Sequence, residues 1–536
     1  MSLTECDCST YIPFKETGFF STMMCNYLEK SDTLEHFYGN YPNIEGFKKQ
    51  INEKQKSFSN HTREVLVAAL RSQYEKTNIS EKTKANIDAL LTSNTFTVTT
   101  GHQLNLFTGP LYFLYKIISA INLAEELSAQ FPEQQFVPIY WMATEDHDFD
   151  EINYFNFKGS KVQWNSEQTG GVGRFSNDGL SHVFQVFQQH LGTSRNATYL
   201  KELFTEGYLK HSNLADATRY IANELFSEYG LVIIDADESA LKKEFAPFVK
   251  QELLENTSYR EVSKTNALLG QSYKIQVNPR EINLFYLTDT LRERIVFEDA
   301  IFKVNNTTIS FSKEEILKEL ENHPERFSPN VIMRPLYQEI ILPNLCYIGG
   351  GGELAYWMQL KSYFDTVRIP FPILLLRNSV QVINQKQYKK LEKLSVSVEE
   401  LFLKQNDLLA KKVKENAEVH FDFAEQRTVL ETQFNSLRKI AEQTDVSYVG
   451  AVNAQEKKQL KGLQNLEKRL LRAEKRRQAD LVTRITELQN TILPNQSLEE
   501  RQRNFSEYYL EYGNDFIVSL KKALKPLQLE FFVLVK

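Results

Sequence analysis

Residues 137–151 read VPIYWMATEDHDFDE, an unbroken apolar run that passes at once into Glu145, Asp146, His147, Asp148, Asp150 and Glu151. A short apolar segment without alternation fits a strand covered on both faces, as in parallel sheets flanked by helices. Ligands of open α/β sheets gather beyond the carboxyl ends of such strands. The His and carboxylate cluster, with Trp141 just before it, falls at that place, so this one stretch bears on both the fold and the site.

Working outward, similar apolar runs occupy residues 96–100, 231–235 and 372–376, with a further candidate at 346–348. Helical patterns alternate with them, which predicts an α/β chain built on a doubly wound, parallel sheet. A mainly helical segment, residues 1–95, joins a core of residues 96–379. Residues 155–225 and 240–330 exceed any simple crossover and read as insertions, and 274–311 has the character of hairpin-forming strands.

Beyond the core, no proline lies between Pro372 and Pro494, and Gly450 and Gly462 are the only glycines from 378 to 493. Leu430, Phe434, Leu437 and Ala441 follow a 4,3,4 spacing, which Leu466, Leu470, Ala473 and Arg477 repeat. Leu481, Ile485, Leu488 and Ile492 continue after one stutter. The pattern predicts an antiparallel coiled-coil arm over 380–495, turning near Gly450. At about 1.5 Å per residue, a helix from near Ala454 to Leu493 would run roughly 60 Å. The arm's lysines and arginines are interleaved with Glu456, Glu467, Glu474 and Asp480, the pattern of a solvated face. The closing segment, 496–536, ends in LQLEFFVLVK and reads as a strand returning to the core.

The chain of 536 residues carries 63 basic against 69 acidic side chains, a net charge of -6. That balance gives no general attraction to nucleic acid or to anionic membrane. The start, MSLTECDCSTYIPF, lacks a basic region followed by an apolar run, and no window approaches a membrane span, so the expected location is the cytoplasm. Four cysteines, Cys6, Cys8, Cys25 and Cys346, are too few for a disulfide scaffold, and their spacing lacks the paired CxxC of common zinc sites. Reduced thiols and no protein-held metal are expected.

Two further motifs belong with the opening cluster. Residues 96–110, FTVTTGHQLNLFTGP, read as strand, loop and helix start. Gly101 and Gly109 permit a tight turn, Pro110 suits a first helical position, and exposed amides at the helix start favour phosphate or carboxylate. Thr100, His102, Gln103 and Asn105 would surround that anion. The segment matches neither a Walker loop nor GxGxxG, and a tight turn with a capping histidine also fits it. In residues 347–357, YIGGGGELAYW, Gly349, Gly350, Gly351 and Gly352 could present backbone amides to phosphate or to an oxyanion. Glu353 would touch an amine or a ribose. A plain flexible connection is the other reading. Arg334, just upstream with Gln338 and Glu339, suits bidentate contact with a carboxylate or phosphate, or ordinary surface pairing.

Taken together, TGHQLNLFTGPLY, VPIYWMATEDHDFDEI and RPLYQEIILPNLCYIGGGGELAYW resemble the bacillithiol biosynthesis cysteine-adding enzyme family, and the likeness extends along the whole chain. The resemblance implies a Rossmann-like core similar to nucleotidyltransferases, with inserted segments and a coiled coil that forms a homodimer. It also implies ligation of L-cysteine to glucosaminyl malate, giving bacillithiol. The HIGH and KMSKS signatures of related synthetases are missing, and TGHQ at residues 100–103 only occupies the analogous place. A carboxylate acylates an amine only after its oxygen becomes a leaving group, so ATP or another nucleotide is the expected cofactor, activating cysteine as an adenylate or acyl phosphate. His102 would stabilise phosphate charge. Asp146, His147 or Asp148 would take the amine's proton, while other acidic groups, such as Glu145, would hold the cysteine ammonium or a magnesium ion on the phosphates. In an extended loop Asp146 and Asp148 share one face and His147 the other. The cluster also fits a polar loop of helix-capping carboxylates. A contrasting reading is a nucleotide-binding interaction protein that recruits partners through its coiled coil without turnover. A tRNA-acylating relative would need a basic face, which the net charge disfavours.

Overall fold

The computed structural model describes residues 9–418 and 420–536, so the reading of Cys6 and Cys8 lies outside the described residues. All five apolar runs become strands of one sheet: β1 Thr95–His102, β2 Gln135–Met142, β3 Val232–Asp235, β4 Asn344–Gly349 and β5 Ile373–Leu376. Their spatial order is β5-β4-β1-β2-β3, and every pairing is parallel. From β3 inward the order is that of a Rossmann sheet, and the strand order reverses between β1 and β4. β1, β4 and β5 are buried at every position, which is why these runs show no alternation.

The first crossover is α1, Tyr112–Gln130, and α2, Arg334–Ile341, precedes β4. The glycine run opens α3, Gly351–Met358. The two long connections are elaborated as insertions. The first carries a small hairpin, Tyr154–Phe157 with Ser160–Gln163, and then helices. The second carries three helices, Ser239–Glu255, Thr257–Leu269 and Lys313–Asn322, and a five-stranded antiparallel sheet that includes Leu284–Thr288, Leu291–Glu298 and Phe327–Pro329. The closing run forms Phe531–Val535, which pairs with Thr10–Ile12 and Val380–Ile383 in a separate three-stranded sheet.

In the arm, α4, Ala424–Ala441, packs against α5, Val446–Arg477, and α6, Ala479–Ile492, continues the line. The turn falls earlier than the glycine suggested. Asp445 caps α5 by accepting from the amides of Ser447 and Tyr448, and Gly450 lies inside the helix. The single 60 Å helix is interrupted at Gln478, where the backbone leaves helical geometry. Phe434, Ala441 and Val452 make a small buried cluster, whereas Leu466 on the expected seam is 54% exposed. No helix among the described residues is long and apolar enough to cross a membrane. Cys25 and Cys346 are buried free thiols.

Candidate functional site

A cavity of about 660 Å³ opens at the carboxyl ends of β1, β2 and β4, where the chain order reverses. Of the residues expected from sequence, Gly101, His102, Gln103, Trp141, Glu145, Asp146, His147, Arg334 and Glu353 line it. Thr100, Asn105, Gly109, Asp148 and Gly349 to Gly352 do not. Thr100 ties β1 to the Ile348 carbonyl at 2.8 Å, and Asn105 donates to the Glu151 carbonyl at 3.2 Å. A Cβ on Gly101 would meet the Tyr347 hydroxyl at 3.1 Å, and Gly109 has φ +64 with Asn105 against it. These are reasons of packing, so the loop chemistry read from TGHQLNLFTGP is in part structural.

The loop after β1 is held by distant parts of the chain. Phe107 and Thr108 adopt left-handed backbone at φ 48 and 68, which costs a bulky residue roughly 1–3 kcal/mol. The Phe107 amide donates to the Tyr208 hydroxyl, and Asn504, just after the arm, donates to the Phe107 and Gly109 carbonyls at 2.8 and 2.6 Å. His102 is buried between the rings of Tyr112 and Phe113, and its Nε2 has no hydrogen-bond partner. Burial, reinforced by the Lys116 ammonium, lowers its pKa to about 3. The imidazole is therefore neutral at physiological pH, so any help it gives an anion comes from a ring N–H and not from a positive charge.

The cation at this position is Lys116, which sequence reasoning overlooked. It is buried on α1, donates to the Gly101 carbonyl at 2.7 Å and pairs with Glu353 at 2.7 Å. Burial lowers the lysine's pKa against the pull of Glu353. Burial alone would raise that of Glu353, but the ammonium and hydrogen bonds from the Gly350 amide and Tyr347 hydroxyl hold it below the usual range. The carboxylate thus caps α3 and joins the β1 and β4 loops, so it is not free for an amine or ribose. A lone lysine inside the apolar stretch LYFLYKIISAINLA was the available signal, because an unpaired charge is not left in a core. Arg334 lies about 5.5 Å from the Trp141 and Tyr347 ring centres; its Nη1 donates to Gln338, and its buried Nη2 has no partner. Glu339 turns away from the cavity to pair with Lys54 at 3.0 Å.

The opening cluster is not extended. The Asp146 amide bonds back to the Ala143 carbonyl, so Asp146 and His147 both face the cavity while Asp148 is exposed outside it. This overturns the alternation expected of an extended loop. Glu145 is committed to Lys242 at 2.5 Å and to the Ser328 hydroxyl at 2.7 Å; burial raises its pKa and Lys242 opposes the rise. Asp146 accepts from Gln103 at 2.9 Å and from the His147 amide at 2.8 Å. His147 Nδ1 lies 2.6 Å from Arg292 Nη1. Arginine can only donate, so Nδ1 accepts and Nε2 carries the proton. Burial and Arg292 both lower the pKa of His147, which keeps the ring neutral. A ring fixed this way offers a donor to the cavity and cannot act as a base.

Arg280, Arg292 and Arg294, from the second insertion, complete the lining. Their positions carried no signal in the sequence, since only the folded insertion, with Arg292 and Arg294 on its antiparallel sheet and Arg280 in the loop before it, brings them over the strand ends. Among the described residues no group of three or more His, Cys, Asp or Glu is arranged to hold a metal.

Fold and site together define a Rossmann-type α/β protein with a cation-rich cavity at its topological switch point and a helical arm. Residues 8–378 match the family described as Bacillithiol biosynthesis BshC, N-terminal Rossmann-like domain, and residues 380–535 match its C-terminal coiled-coil domain. The chain belongs to this family. It is 56% identical to the "Putative cysteine ligase BshC" of Flavobacterium johnsoniae, over 98% of this chain and 99% of that protein. Its like-named relatives in Flavobacterium psychrophilum and Christiangramia forsetii are 55% and 54% identical, each over 98% of this chain and over 99% and 98% of theirs.

Proposed function

We propose that this protein joins L-cysteine to the amine of glucosaminyl malate through an amide bond, making bacillithiol. The observation that carries the reading is one cavity at the switch point that combines a cationic wall, Lys116 and Arg334, with Asp146, in a chain so close to proteins named cysteine ligases. ATP, or another nucleoside triphosphate, would supply the leaving group that the cysteine carboxylate lacks. Lys116 and the unpartnered Nη2 of Arg334 fit its anionic groups. Magnesium would arrive on the phosphates.

Asp146 takes the proton released when the glucosamine nitrogen attacks, since Glu145 is held by Lys242 and His147 is fixed as a donor. His147 Nε2 then hydrogen-bonds an acceptor oxygen. The exposed Leu466 of the arm serves pairing with a second copy of the chain. Incubating the protein with ATP, cysteine and glucosaminyl malate should yield bacillithiol by mass spectrometry, with AMP or ADP released in step. No product from folded protein with any nucleoside triphosphate would refute ligation.

A further inference from the structure

The second insertion places three guanidinium groups on the cavity, and none has a carboxylate partner. Arg292 and Arg294, two residues apart on Leu291–Glu298, share one face of that strand, and Arg280 lines the same cavity. Arg292 donates to His147 Nδ1, to the Ser328 hydroxyl at 3.1 Å and to the Pro329 carbonyl at 3.1 Å, all neutral acceptors. The side chains of Arg280 and Arg294 make no hydrogen bond or ion pair among the described residues. Of the acids lining the cavity, Glu145 is held by Lys242 and Glu353 by Lys116, while Asp146 accepts only from neutral groups such as Gln103 and, among the described residues, forms no salt bridge to an arginine.

Arg292 has lost water, its hydrogen bonds all go to neutral groups and the charges of Glu145, Asp146 and Asp237 reach it only through space, so an arriving anion that bonds it directly offsets a remaining cost. Two unengaged arginines beside it present forked donors suited to carboxylates. We propose that this wall is the specificity site for a dicarboxylate carried by the acceptor, with Arg280 and Arg294 gripping its carboxylates. Arg292 is a positioning residue, adding its charge and fixing His147 as a donor to the same group. This rests on the ligase reading, in which the acceptor's malyl group is that dicarboxylate. Lys116 and Arg334 are left to the cysteine and nucleotide side.

The test is calorimetric binding to the full chain without cysteine or nucleotide, using glucosaminyl malate, L-malate and methyl glucosaminide as probes. The wild type should bind the first two and hold methyl glucosaminide far more weakly. Arg280→Gln with Arg294→Gln should weaken glucosaminyl malate by about 10–100-fold, the effect of losing charge-assisted hydrogen bonds. The KM for cysteine should stay near the wild-type value. An unchanged affinity in the double variant, with wild-type circular dichroism and melting temperature, overturns the proposal, as does equal binding of methyl glucosaminide. Because binding is read without turnover, failure to ligate leaves the wall standing. Ligation indifferent to the malyl group removes the wall alone.

Discussion

Between the parallel core and the helical arm the treatment of charge reverses. In the core, Lys54–Glu339 and Arg377–Glu500 sit at 3.0 and 2.7 Å with side chains almost wholly enclosed, and Lys116–Glu353 spans the two loops of the switch point. In the arm, Arg427–Glu467 is 3.7 Å apart and Arg484–Asp480 3.5 Å, on side chains partly or largely open to solvent. A charge removed from water must be met by a partner in fixed geometry, so each core pair pins two segments together. A charge left in water has no such requirement, and the arm's ions serve solubility and helix register.

The largest expected effect is at Arg377. Its guanidinium holds Glu500 while its amide bonds the Gly349 carbonyl, so Arg377→Met strands a buried carboxylate. Urea unfolding should show a loss of about 3–5 kcal/mol, and a second change, Glu500→Leu, should restore much of it. A loss as small as that of an exposed arm pair would erase the contrast.

The contrast sharpens at the site. Asp146→Asn should lower ligation turnover by about 10²–10⁴-fold, whereas Asp148→Asn, exposed outside the cavity, should stay near wild type in the same assay. Equal losses would mean that burial does not select the proton acceptor.

Glu499 gives the core a pH signature. Burial lifts its carboxyl from 4.5 to about 7, with Arg503 opposing the rise. The folded state therefore holds this proton more tightly than the unfolded chain. Its contribution is complete below pH 4.5 and is lost as pH rises toward 7, by up to about 3 kcal/mol. Glu499→Gln should flatten stability across that window, measured by denaturant melts at stepped pH. A slope unchanged by the substitution would place the titration elsewhere.

The smallest effect belongs to the arm. Arg438 pairs with Glu456 across the helical hairpin, both partly open to solvent. Arg438→Ala should cost about 1 kcal/mol or less, and the cost should shrink in high salt, as hydrogen exchange along α4 would record.

Much of the core was legible because a strand covered on both faces has little choice of residue. The apolar runs at 96–100, 136–142, 231–235, 346–348 and 372–376 each became a strand of the parallel sheet. The arm was legible by period, yet its turn moved from Gly450 to the residues before Asp445, because a capping carboxylate ends a turn more firmly than a glycine permits one. At the site, the strand-end motifs converge on one cavity, while the contacts within it were harder to read. His147 looks like a base until Arg292, 145 residues away, occupies its Nδ1. Glu353 looks free until Lys116 reaches it.

Sequence alone was enough to show where the strands lie, where the helical arm begins and which segments end at the cavity-bearing edge of the sheet. Burial and helical period impose patterns within a few consecutive residues, and those patterns survive in one dimension. The tertiary structure alone sets which of Glu145, Asp146, His147 and Asp148 line the cavity and what each is bonded to, that Lys116 and Arg334 face it, and that the second insertion brings three arginines over it. Protonation, tautomer and pairing depend on groups brought within about 3 Å from distant parts of the chain, and no local pattern records those approaches.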